Sequence, residues 1–583
     1  MESKKNEVLK KKNKMTDKEK KILKVAFYIL AIFCIAVFSF AITPKTFQND
    51  TYYTIKMGEG IREYGLDGVD HYSWHNLPYT YPHWLYDLIT SLVYDFAGGY
   101  AGIYILTAVL SIILGISLFF TNKKITNNPF VSFAITLGQM YLMTDYIAAR
   151  AQLVTFILFV LTILFIEKFL ETGKKRYAAG LIVIPIIIAN VHSAVFPFYF
   201  VLYLPYIGEF VIRQLLDAHI IYKVHIQYLN LRVKIENNRL KKASKESVSK
   251  YKEKLVTLNR KIEESNNHFE TFKIKQEERR KRPYKLKIEN QSRVKWLILI
   301  MIICIFTGLL TPIGDMPYTY TLKIMKGNTT SSINEHLPLT LIEDKPIMIC
   351  LAVVIAILVF TDTKIKLRDL FMFGGLTFLS FVSRRQISML VLFGGMVVAR
   401  ILSDIIYKYD KKSTEQLMKF MTTTVGELLT ILFVFAISYY MYVPNINAQY
   451  VSTSGYPVEA VNWIKENLDY KNIKIYNDYN YGSYLLLNDI PVFIDSRCDL
   501  YTPEFNGEKG EDGKYSGQDI FSDYMNISTI STYYENKFKE YEITHVITKA
   551  NSKLNMLISR DEDYNRLYKD DYFIIYEREA ENE

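Results

Sequence analysis

Cysteine is scarce. There are four in 583 residues, and Cys34, Cys304 and Cys350 lie inside apolar runs while Cys498 stands alone near the C-terminal end. That spacing supports neither a disulfide framework nor a cysteine-based metal site. Charge is thin as well, at 22% against 50% hydrophobic residues, so other stretches must be almost purely apolar. No internal repeat is evident, and no pair of broken apolar segments recurs in two halves, which argues against a transporter built from inverted repeats. The basic residues behind the net charge of +10 concentrate in 1–24 and 213–295. In a chain with long apolar runs such clusters read as cytoplasmic anchors, and they exclude a nucleic-acid role.

What is abundant is apolar sequence in blocks long enough to cross a bilayer. Residues 22–43 hold about 20 apolar positions, matching a hydrocarbon core of ~30 Å, and no short hydrophobic region with small residues at a cleavage site follows, so this is an uncleaved first helix. Further candidates are 84–97, 101–121, 130–149, 153–170, 178–189, 194–212, 294–310, 346–361, 370–382, 387–401 and 420–443. Both lysine-rich segments belong on the cytoplasmic side, so an even number of spans must separate them, yet seven candidates do. The weak ones are 84–97, with Asp87 and Asp95, and 130–149, with Gln139 and Asp145; one of them is expected to be re-entrant or broken. The expected fold is an α-helical multi-pass membrane protein of about 11–13 transmembrane helices. It divides into a basic cytoplasmic N-terminus (1–21), an N-terminal transmembrane module (22–212) with an outside loop (44–83), a basic cytoplasmic insert (213–293), a second transmembrane set (294–443) with an outside loop (311–345), and an extracytoplasmic α/β domain (444–583).

In the insert, Ile221, Val224, Tyr228, Leu231 and Ile235, then Tyr251, Leu255, Leu258, Ile262, Phe269 and Phe272, follow the alternating steps of three and four that mark a coiled-coil seam. The polar break KKASKES between the blocks predicts an antiparallel helical hairpin. A partner protein or anionic lipid headgroups are the alternatives to a solvated strut for this segment. In the last 140 or so residues, 458–468 reads as an amphipathic helix, and 473–478, 483–488, 492–495, 544–550 and 572–579 read as short strands.

The first outside loop is long for a simple connection and carries Asp50, Glu59, Glu63, Asp67 and Asp70 beside His71, His75 and His83. So much acid and aromatic sequence at a membrane face suggests a site, although interfacial Trp and Tyr occur in any membrane protein. Arg150 is expensive near the membrane unless paired, for instance with Asp145. Asn190 and His192 interrupt a long apolar stretch. Arg384 and Arg385 end a hydrophobic helix and suit bidentate phosphate contacts, with interfacial snorkelling as the plain alternative.

In order along the chain, NDTYYTIKMGEGI at Asp50, VDHYSW at Asp70, HWLYD at His83, RAQLVTF at Arg150, IIIANVHSAVFP at Asn190 and His192, LLTPIGDMPYTY, INEHLP at Glu335, VSRRQISM at Arg384 and Arg385, and YNDYNYGSYLLL with VFIDSRCDLY in the tail resemble the C-type glycosyltransferase superfamily (GT-C). The resemblance covers most of the chain outside the insert. Ala151 stands in place of the usual proline, no acid precedes Trp84, and Ser193 replaces a common glycine. These departures put the substrate in doubt. What the resemblance implies is an inverting transfer of sugar from a polyprenyl-phosphate donor to a glycan, lipid or protein acceptor at the outer face. It makes Asp50 the candidate base, Asp70 an acceptor-orienting or metal-binding carboxylate, and Arg384 with Arg385 the phosphate ligands. Arg150, His83, Asn190, His192 and Glu335, the last on a gating loop, would line the substrate cavity. A divalent metal stays open. The competing readings are a non-catalytic scaffold and a lipid or solute transporter, and the discriminating observation is whether Asp50 shares a cavity with Arg384 or Arg385.

Overall fold

The computed structural model describes residues 17–244, 246–281, 285–327, 334–511 and 514–579. Most of the basic N-terminus, Lys245 in the polar break, the end of the insert at 282–284 and residues 328–333 of the second outside loop lie outside the described residues.

The chain is a multi-pass helical membrane protein. Helix α1 (Asp17–Ala41) leads to two helices at one end of the bundle, α2 (Asn49–Tyr64) and α3 (Trp84–Phe96). Here the sequence reading needs correction. The expected loop 44–83 is in large part helix α2, and 84–97 is no crossing, because 13 residues of α-helix span only ~20 Å. α3 instead lies against α2, where the two backbones meet so closely at Gly58 that a Cβ there would sit 2.0 Å from the Asp87 carbonyl oxygen. The chain then continues through Tyr100–Thr126, Pro129–Leu142, α4 (Ala151–Thr172), α5 (Lys175–Val191) and Leu204–Ala218. Between the two lysine-rich segments, among the described residues, four helices are long and apolar enough to cross a membrane and Pro129–Leu142 is a shorter apolar one.

Among the described residues, six helices are long and apolar enough to cross a membrane, including Tyr100–Thr126, Arg384–Tyr409 and Thr424–Ile446. Pro129–Leu142, Val294–Leu309 and Lys345–Phe360 are shorter apolar helices of the same bundle.

The insert is a hairpin of α6 (Ile220–Lys241) and α7 (Val248–Lys281). Its base is held where Gln276 Nε2 donates to the Leu216 carbonyl at 3.3 Å and Phe269 and Phe272 pack edge-on to His219. The seam differs from the expected one on the first helix. Tyr222, Ile226, Leu229 and Val233 face α7, whereas Val224, Tyr228, Leu231 and Ile235 are exposed; the Ile221 side chain lies outside the described residues. On α7, Tyr251, Leu255, Leu258, Ile262 and Phe269 are partly covered as expected, and Phe272, though more open, packs on the Tyr222 ring across the seam. Beyond the hairpin, β1 (Leu286–Lys287) pairs in parallel with β2 (Ile365–Lys366), tying the end of the insert to a later loop.

The C-terminal domain has a four-stranded sheet in the order β3 (Ile475–Tyr476), β4 (His545–Lys549), β6 (Phe573–Arg578), β5 (Tyr564–Lys569), with β3 and β4 parallel and the other pairs antiparallel. Residues 483–488 are not a strand. They lie at the end of helix Tyr479–Leu487, whose start is fixed by the Asp478 side chain accepting from the Asn480 amide. Residues 492–495 join no sheet; Val492 forms an isolated parallel bridge with Ser73. The domain is not a separate ball on a tether. Tyr52, Ile55 and Met57 of α2 and Tyr79 of the following loop belong to the same apolar core as Ile475, Phe493 and Ile547.

Candidate functional site

Asp50 lies in the first turn of α2, where the helix dipole favours a carboxylate. Its Oδ2 pairs with the guanidinium of Arg150, the residue that opens α4. The other arm of Arg150 reaches Glu335 Oε1 at 3.5 Å. Arg150 therefore finds its partners in Asp50 and Glu335 rather than in the nearby Asp145. A partly buried cation between two carboxylates is stable where a lone one is not.

Around this pair is an open cavity whose walls include Asp50, Tyr53, His83, Arg150, His192 and Arg385. The His83 and His192 rings stand 4.8 Å apart. His192 Nδ1 is 3.0 Å from Thr155 Oγ1 on α4, and Ser193 donates both its amide and its hydroxyl to the Pro82 carbonyl, at 3.0 and 2.9 Å. The turn after α5 is thereby strapped to the segment that carries His83. Burial lowers the His83 imidazole to about 4, with Arg150 and Arg385 acting in the same direction against the attraction of Asp50. Burial, then His83 and Arg385, hold His192 well below the ordinary histidine value. Both rings are neutral near pH 7 and add hydrogen-bonding capacity without charge.

The two adjacent arginines are sorted by geometry. Arg384 turns away and is engaged by Glu343 and by Asp344 Oδ1, the latter at 3.0 Å. Arg385 lines the cavity and, among the described residues, makes no ion pair. Asp70 lies apart from the cavity. It is fully buried and takes Arg497 Nη1 at 2.8 Å, while Arg497 also grips Asp495 at 2.7 Å. That arrangement makes Asp70 a clamp between the first loop and the C-terminal domain. Asn190 is likewise committed elsewhere, donating to the Ile186 and Leu310 carbonyls at 2.8 and 3.0 Å.

Several participants lie inside the quoted motifs without having been singled out as site residues. Tyr53 and His83 are shared with a second, adjoining cleft, whose far wall is formed by Tyr320, Asp499 and Phe505. Asp499 accepts from the Tyr320 hydroxyl at 2.8 Å, and burial raises its carboxyl above the usual range. Asp87, one turn after His83, is fully buried with no hydrogen-bond partner on either oxygen, and burial pushes its carboxyl well above the carboxylate range. Only an acid followed by its position within an amphipathic helix could have marked it. For a metal, the residues present do not fit. No three His, Cys, Asp or Glu side chains gather at a candidate site among the described residues, and the Arg150 guanidinium already occupies the place between Asp50 and Glu335 that a cation would take.

No protein-family model matches the sequence, and no curated protein matches it. Among solved structures, the chain is similar to the archaeal oligosaccharyltransferase AglB from Archaeoglobus fulgidus, solved in complex with an inhibitory peptide and a dolichol-phosphate. The TM-score is 0.50 at 10% identity, and the likeness covers 94% of this chain and 73% of that one. Identity that low speaks to architecture alone. The chain shares the overall fold of that enzyme.

Proposed function

We propose that this protein is a membrane glycosyltransferase that moves a sugar from a polyprenyl-phosphate-linked donor to an acceptor at the outer face of the membrane. The observation that carries the reading is the convergence of Asp50, Arg150 and Arg385 on one cavity. In this reading the N-terminus and the hairpin are cytoplasmic, and the cavity and C-terminal domain face outward, which satisfies the lysine distribution.

The chemistry follows from charge. An acceptor O–H or N–H attacks the anomeric carbon on the face opposite the phosphate, the bond from that carbon to the phosphate oxygen breaks, and the acceptor proton passes to Asp50. The departing polyprenyl phosphate gains negative charge, which Arg385, and Arg150 beside it, stabilise. A single displacement with one carboxylate base inverts the anomeric centre. His83 and His192, held neutral, offer hydrogen bonds to sugar hydroxyls without competing for the phosphate.

The test is to measure donor binding and transfer separately on purified protein in nanodiscs, using polyprenyl-phosphate sugars and a panel of acceptors. Asp50→Asn should lose ~10²–10⁴-fold in transfer rate while keeping donor affinity. Unaltered transfer by that variant would remove Asp50 as the base.

A further inference from the structure

Helix α6 of the hairpin has two apolar faces. One, formed by Tyr222, Ile226, Leu229 and Val233, is used against α7. The other lies on the opposite side of the helix, at the expected heptad steps, and is bare: Val224 is 58% exposed, Tyr228 52%, Leu231 57% and Ile235 43%. At 100° per residue these four side chains fall within a stripe roughly 60° wide, which is the width of a coiled-coil seam and narrower than the broad apolar face of a helix lying in a lipid interface.

What flanks the stripe says what could cover it. With Tyr228 and Ile235 at a positions and Val224 and Leu231 at d, the e positions are His225, Arg232 and Arg239, and the g positions are Gln227, Lys234 and Lys241. No flanking position is acidic. The one acid on the helix, Glu236, is buried on the seam side and taken by Arg239 at 3.0 Å. Arg232 folds over the Tyr228 ring, 5.9 Å from its centroid, and so stays beside the stripe. A second copy of α6 laid on this face would set basic e and g residues against basic ones, which is destabilising, whereas a helix with Glu or Asp at those positions would be attracted.

We propose that the outer face of α6 docks an acidic amphipathic helix of a soluble partner protein, which pairs with α6 as a short two-stranded coiled coil on the side away from α7. Binding on the arm leaves the cavity untouched, so this inference stands independently of the glycosyltransferase reading.

The experiment uses the full-length protein in nanodiscs of neutral lipid and two labelled synthetic helices of four heptads, both with Ile and Leu at a and d, one with Glu and one with Lys at e and g. Fluorescence anisotropy should show the Glu helix binding saturably and at least tenfold more tightly than the Lys helix. Val224→Ser with Leu231→Ser should abolish that binding, and Arg232→Glu with Lys234→Glu should reverse the preference; the altered residues are exposed, so circular dichroism should be unchanged. Equal binding of the two helices, no binding of either, or survival of binding in the serine variant would overturn the proposal. So would efficient disulfide formation between two copies carrying Leu231→Cys, which points to self-pairing. A spin label on the same cysteine that enters the oxygen-rich lipid phase in phosphatidylglycerol nanodiscs would overturn it in favour of the membrane surface.

Discussion

The C-terminal domain and the hairpin arm treat polar and apolar residues in opposite ways. At the domain, charge is taken inside: Asp70, Arg497 and Asp495 form a buried ionic cluster, and Asp87 is enclosed without a partner. The two-helix arm leaves Val224, Tyr228, Leu231 and Ile235 in solvent. A buried charge must be paired or neutralised, and an exposed apolar row gains from being covered. The domain is therefore complete in itself, and the arm is built to be completed by something else.

That contrast can be broken most directly at Arg497. Arg497→Ala leaves two buried carboxylates without their cation and should destabilise the domain by roughly 3–5 kcal/mol, read as a large fall in melting temperature of detergent-solubilised protein. A fall no larger than that of an exposed arginine variant would mean the cluster is not a clamp. Next comes the pair of neighbouring arginines. Arg385→Ala should weaken donor binding by about one to two decades, the worth of a charge-assisted phosphate contact, while Arg384→Ala, whose partners are Glu343 and Asp344, should leave donor affinity within about twofold by the same measure. Equal losses in the two would erase the distinction between them.

Acid should sharpen the contrast more gently. His75 and His83 are both lowered by burial to about 4 from the usual 6.5. Between those values the unfolded chain binds more protons than the folded one, so stability is full above about pH 6.5, declines as the pH falls toward 4, and changes no further from these groups below that. Melting temperature followed from pH 7.5 to 4.5 should fall, and His75→Gln should flatten the decline. The smallest effect is expected on the arm. Replacing residues 220–281 with a flexible linker should leave donor affinity unchanged within about twofold, since the hairpin contributes no wall to the cavity. A monodisperse protein with lost donor binding would join the two regions functionally.

The sequence alone carried the membrane class and the helical hairpin, because each rests on long periodic or apolar segments. It carried less at short range. The tail segment 483–488 has the composition of a strand, yet the Asp478 cap commits the residues before it to a helix and draws the rest along. On α6 both heptad registers are apolar, so periodicity could not say which faces α7. Arg384 and Arg385 are indistinguishable in a string of letters; what separates them is the placement of Glu343 and Asp344, some 40 residues away in the chain. Asp499 and Tyr320 meet for the same reason across a separation of 179 positions.

The short pairing of Leu286–Lys287 with Ile365–Lys366 has a historical implication. Together with Glu289, which takes Lys366 at 2.9 Å and Arg368 at 3.5 Å, it fastens the chain immediately after the arm and shields the bundle from whatever happens within it. An arm anchored in this way can be lengthened or shortened by whole heptads, or exchanged for another, without selection having to repair the membrane helices each time.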